Sequence, residues 1–111
     1  MADMAIIGAR DSILGFKALG LSVYPVKTSE EAEKILTKLV QENFASIFIT
    51  EDYAANMLKR IEELEKEIEL YPSIVIIPSF KGSKGLGMEK VRKMIEKAVG
   101  IDLLSSERGD S

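Results

Sequence analysis

Four short apolar runs punctuate the chain: Met4 to Gly8, Leu21 to Val26, Ser46 to Thr50 and Ser73 to Pro78. Runs of this length, rich in Ile and Val and bounded by Gly, Pro or Ser, predict strands. The third and fourth, SIFIT and SIVIIP, are apolar without alternation, the pattern of parallel strands covered on both faces. Pro78 lacks a backbone donor and is expected to end the last strand.

Between the strands the period lengthens to that of a helix. The first helix is predicted over Asp11 to Leu19, with the Asp11 carboxylate as N-cap and Gly20 as the stop. The second runs from about Ser29 to Glu42, capped by Thr28 or Ser29 and with Glu31 near the capping-box position. Its inner face carries Ala32, Ile35, Leu36, Leu39 and Val40. A third, from Asp52 to about Leu70, spaces Met57, Ile61, Leu64 and Ile68 four and three apart and sets Glu62, Glu63, Glu65, Glu67 and Glu69 mostly around the other side.

Strand and helix alternate, which predicts an α/β fold, Rossmann-like or receiver-like, with a four-stranded parallel sheet in the order 2-1-3-4 and helices on both faces. In that order the first helix covers one face and the second and third cover the other. The first helix leaves strands three and four open on its side, and the remaining amphipathic stretch, Met88 to Val99, is the element available to cover them. The expected organisation is a sheet domain over 1–78, a glycine-rich hinge over 79–87 containing Gly82, Gly85 and Gly87, a helical segment over 88–104 and a disordered polar tail over 105–111. The helix presents Val91, Ile95 and Ala98 on one stripe, widened by Met88, Met94 and Val99, and is basic through Lys90, Arg92, Lys93 and Lys97. A helix of about twelve residues is marginal in water unless it docks. With a hinge before it, two berths are physically accessible.

Composition narrows the chemistry. At 111 residues, 46% of them apolar, the chain fits one domain with one core. A formal net charge of −3 gives no support for nucleic acid as a partner. The sequence contains neither Cys nor His, which removes thiolate nucleophiles, zinc–thiolate sites and the commonest general base. There is no apolar run of membrane-spanning length, and MADMAIIG lacks the basic flank of a secretory signal, so a cytoplasmic location is expected.

Three candidate sites follow from position. Gly8-Ala9-Arg10-Asp11 lies where a doubly wound fold binds ligands, but it has neither the second glycine of a dinucleotide fingerprint nor a Gly-Lys-Ser/Thr ending. A turn at Gly8, a cap at Asp11 and close packing at Gly15 account for it, and no cofactor is expected. Asp11, Asp52 and Lys81 can be fitted to the roles of a phosphoacceptor receiver domain. That alternative wants a pair of acids where Asp11 stands alone, and five strands where four are predicted. Lys81 and Lys84 allow a phosphate loop, although the surrounding glycines read more simply as a connector.

Two marks taken with the final helix carry a family resemblance: Gly8-x-x-Asp11-x-x-x-Gly15-Phe16 after the first strand, and Ile77-Pro78-Ser79 at the end of the last. Together they resemble the F subunits of the archaeal-type and vacuolar-type rotary ATPases, over nearly the whole chain and nearer the archaeal and bacterial form. The resemblance implies a non-catalytic component of the central stalk, peripheral to the membrane and in contact with it only through the ion-translocating sector. It would turn with the coiled-coil D subunit inside the ring of A and B subunits. It also implies that the terminal helix meets partners, with Val91, Arg92, Lys93, Met94, Ile95, Ala98, Val99, Ile101, Leu103 and Leu104 as contact residues.

Overall fold

A computed structural model describes residues 3–78 and 93–97. Strands β1 (Met4–Gly8), β2 (Ser22–Pro25), β3 (Ser46–Thr50) and β4 (Ser73–Ile77) form one sheet in the order β2-β1-β3-β4, every pair parallel. This is the predicted α/β architecture and strand order. The register pairs Ile7 with Ile49 and Tyr24, and Thr50 with Ile77, so the C-terminal ends of the strands lie along one edge of the sheet.

Side-chain alternation divides the core in two. Ala5 and Ile7 of β1 and Ile47 and Ile49 of β3 project to one face, where α2 (Ser29–Leu39), α3 (Glu51–Ala54) and α4 (Leu58–Glu67) bury them under Ala32, Leu36, Leu39, Ala54, Ile61 and Leu64. On the other face Ile6 and Ile77 pack with Ile13, Phe16, Leu21 and Ile95. Ile95 belongs to the helical turn at 93–97, which therefore lies on the sheet face of the first helix.

The first helical segment departs from expectation. It is a short α1 (Arg10–Ile13) followed by a 3-10 helix over Leu14–Leu19. Ile13, Phe16 and Leu19 recur at intervals of three, which a 3-10 helix with about three residues per turn keeps on one side. The N-cap is Ala9, with no side-chain cap bond. Asp11 sits too far into the helix to cap it, although its charge still favours the positive end of the peptide dipoles. Gly20 ends the segment at φ 91°, as its freedom from a Cβ allows.

The close approach expected at Gly15 occurs instead at Gly8. A Cβ built on Gly15 meets nothing within 4 Å, whereas one on Gly8 would stand 2.8 Å from Ile13 Cγ2 and from Thr50 Oγ1. The long third helix is also two helices. α3 ends at Ala54, Met57 takes φ −140° as the residue before α4, and Asn56 reaches across to donate to the Ser29 hydroxyl at 3.3 Å. α2 stops at Leu39, short of the predicted Glu42, while Thr28 caps it by accepting from the Glu31 amide at 3.1 Å.

Candidate functional site

The C-terminal edge of the sheet forms a shallow cavity of about 570 Å³ between the β1 turn and the end of β2. Arg10 and Lys27 line it together with Asp11 and Glu31, two charges of each sign, so the rim has no preference for an anion. Its Tyr53 hydroxyl is already engaged, donating to the Val26 carbonyl at 3.1 Å. Burial, and then Asp52 and Glu31, raise this phenol above its ordinary pKa of 10.0. Gly8 has its space filled by Ile13 and Thr50 rather than left open for a phosphate.

The receiver-type acids sit on the segments that follow the neighbouring strands β1 and β3. Asp11 is exposed on α1, while the half-buried Asp52 is the second residue of α3 and accepts from the Tyr53 amide at 3.1 Å. Lys81 lies outside the described residues. Among those described, no group of three or more carboxylates is arranged to hold a metal ion.

Of the expected contact residues, Lys93, Met94 and Ile95 are described. Ile95 is buried, 4% exposed, in the cluster that contains Ile77. Met94 beside it is 63% exposed, and Lys93, Glu96 and Lys97 are also exposed. One face of this turn thus rests on the sheet, and another presents a large apolar side chain and two lysines to the surroundings. Val91, Arg92, Ala98, Val99, Ile101, Leu103 and Leu104, with Gly82, Gly85 and Gly87, lie outside the described residues.

A second apolar surface is not apparent from the sequence. The unbroken apolar run of β4 predicts a strand covered on both faces, yet Val75 and Ile76 are exposed, as are Leu70 and Tyr71 just before the strand. The reason is positional: β4 is last in the order and forms an edge. The predicted order 2-1-3-4 already contains that signal, which the continuous apolar run obscures.

Comparison with known proteins gives the setting for these surfaces. The family model described as ATP synthase (F/14-kDa) subunit matches residues 4–95. The F subunit of the V-type ATP synthase of Clostridium botulinum (strain Eklund 17B / Type B) is 40% identical over 101 residues, spanning 91% of this chain and 96% of the relative. That of Clostridium perfringens (strain 13 / Type A) is 39% identical, over 91% and 94%. The F subunit of the A-type ATP synthase of Methanocaldococcus jannaschii is 34% identical, over 90% and 97%. A match that runs from β1 to the terminal helical turn, with relatives up to 40% identical over nine-tenths of the chain, places the chain in the ATP synthase (F/14-kDa) subunit family.

Proposed function

We propose that the chain is a non-catalytic component of the central stalk of a V-type or A-type ATP synthase, coupling ATP synthesis or hydrolysis to ion transport by mechanical contact. Its working surface is the C-terminal helix, which meets the coiled-coil D subunit and, in some states, the A and B subunits of the catalytic ring. The protein reaches the membrane only through the rest of the complex, from the cytoplasmic side. Among the described residues no helix is long and apolar enough to cross a membrane.

The observation that carries this reading is the two-sided turn at 93–97. Ile95 is held by the sheet while Met94 and the lysines face outward, so the helix has one berth within the chain and a second face free for a neighbour. Burial of an aliphatic side chain contributes roughly 1.5 to 3 kcal/mol, and three or four of them make either berth sufficient for a short helix. Gly82, Gly85 and Gly87 supply the freedom to exchange berths, and Arg92 and Lys93 supply charge for registration with the partner. Val91, Ala98 and Val99 extend the apolar stripe, while Ile101, Leu103 and Leu104 continue the contact beyond it.

Two measurements test the reading. Mixing the chain with the coiled-coil partner should give a complex at micromolar concentration, and absence of association defeats the proposal. Spin or dye labels on Lys59→Cys and Lys97→Cys should report one distance in the free chain and a second in the complex. A single unchanged distance would make the terminal helix a fixed part of the core.

A further inference from the structure

The C-terminal end of the sheet holds a polar group that its surroundings do not serve. Thr50 closes β3 fully buried, the one polar side chain so placed among the described residues, and its hydroxyl has no hydrogen-bond partner there. Strand alternation sets this side chain on the sheet face of Ile6, Phe48 and Ile77, and its register partner on β4 is Ile77 itself. Toward β1, Thr50 Oγ1 stands 2.8 Å from the place a Cβ on Gly8 would take, as does Ile13 Cγ2. Gly8, Thr50 and Ile77 thus form one row across β1, β3 and β4.

Among the described residues two elements roof this row. The first helical segment packs chiefly on β1 and β2 and brings Ile13 over Gly8. Over β4 the cover is the turn at 93–97, whose Ile95 clusters with Ile77. The reach of that cover is visible along the strand: Ile77 is 4% exposed, whereas Val75, two residues earlier on the same face, is 38% exposed. Thr50 lies between Gly8 and Ile77, where the two covers meet. A hydroxyl sealed there without a partner forfeits its bond to water, and the arrangement that seals it carries the penalty.

We infer that Thr50 weakens the berth of the terminal helix on its own sheet: docking of the turn at 93–97 seals the hydroxyl from water, and release of the turn rehydrates it. The packing lost at Ile95 on release is then partly offset at Thr50, so this residue sets the balance between docked and released helix. An apolar residue of the same shape would hold the helix down and weaken the binding of any partner that needs it free. The inference rests on the proposed exchange of berths and names the residue that poises it.

A short helix does not persist undocked, so hydrogen exchange of the amides at 94–97 in the free chain reports release. Thr50→Val, which removes the hydroxyl and keeps the shape, should slow that exchange about tenfold and weaken affinity for the coiled-coil partner by about the same factor. Thr50→Ser, which keeps the hydroxyl, should give no such slowing. In an Ile95→Asp background, where the turn is displaced, Thr50→Val should lose its stabilising effect in urea unfolding. Unchanged exchange at 94–97 in Thr50→Val overturns the inference. So does a stabilisation that persists in the Ile95→Asp background, because the first helical segment alone would then bury the hydroxyl. If the wild-type chain fails to bind the partner, the central-stalk reading falls, while slowed exchange in the free chain still upholds the role of Thr50. If the wild-type chain binds and Thr50→Val binds equally well, this inference falls alone.

Discussion

Gly8 and Thr50 face one another at the ends of neighbouring strands, and their contact sets what each position tolerates. Gly8→Ala would drive a Cβ to 2.8 Å from two side chains that are themselves fully buried, so a loss of about 1 to 3 kcal/mol in urea unfolding is expected. Gly15→Ala has open space and no left-handed backbone, and should leave stability unchanged or raise it by up to about 1 kcal/mol. The pair of variants separates packing from motif, since both glycines belong to the Gly8-to-Phe16 stretch that carries the family resemblance. The Thr50 hydroxyl is buried without a hydrogen-bond partner among the described residues, so Thr50→Val, which keeps the shape, should be neutral or stabilising in the same assay.

Two phenols add a pH signature at this scale. Burial raises Tyr24, with Glu42 contributing, and burial raises Tyr53, with Asp52 and Glu31 contributing. Below the ordinary value of 10.0 both rings are neutral whether the chain is folded or not, and their contribution to stability is intact. As pH rises past that value the unfolded chain ionises first, so stability falls with further increase until the folded phenols ionise too. Tyr53→Phe should flatten that alkaline fall while lowering stability at neutral pH by about 1 kcal/mol, through loss of the bond to the Val26 carbonyl. Denaturation midpoints measured from about pH 7 to 11 would show both effects.

Among the elements, α2 has the clearest instructions. Thr28 caps it, Glu30 and Glu31 sit in its first turn and Lys38 in its last, so Thr28→Ala should cost about 1 kcal/mol by thermal melting. Such local signals explain what can be read from the residues. The strands are legible because each is a bounded apolar run, and their order follows from alternation with helices. The break at Ala55 to Met57 is not, because Met57, Ile61, Leu64 and Ile68 keep a helical spacing across it with no Gly or Pro. What interrupts the helix is tertiary, a turn tied by Asn56 to the start of α2. In the first segment the three-residue recurrence of Ile13, Phe16 and Leu19 is visible, but a recurrence this short fits an α-helix as well as a 3-10 helix. Of the surfaces described, the apolar side of the turn at 93–97 is legible in its amphipathic stripe, whereas the exposure of Val75 and Ile76 is not, because it depends on the place of β4 in the sheet rather than on its own residues.

At the scale of the whole molecule, the described residues place α2, α3 and α4 on one face of the sheet and, on the other, the first helical segment and, through Ile95, the turn at 93–97. Ile95→Ala should cost less than Leu36→Ala, toward the lower end of the roughly 2 to 5 kcal/mol range, because Ile95 keeps 4% of its surface exposed and Leu36 none. Chemical denaturation of the two variants would check the ranking. Native-state hydrogen exchange should find the slowest amides in β1 and β3, which pair on both sides, and faster exchange in β2 and β4 at the edges.

The order β2-β1-β3-β4 has a consequence for synthesis. As the polypeptide leaves the ribosome, β2 finds β1 already made, β3 joins the side of β1 that β2 left vacant, and β4 adds outside β3. No completed pair has to open to admit a later strand. The sheet can thus grow outward from its first strand at the pace of translation, without the rearrangement that insertion between paired strands would demand.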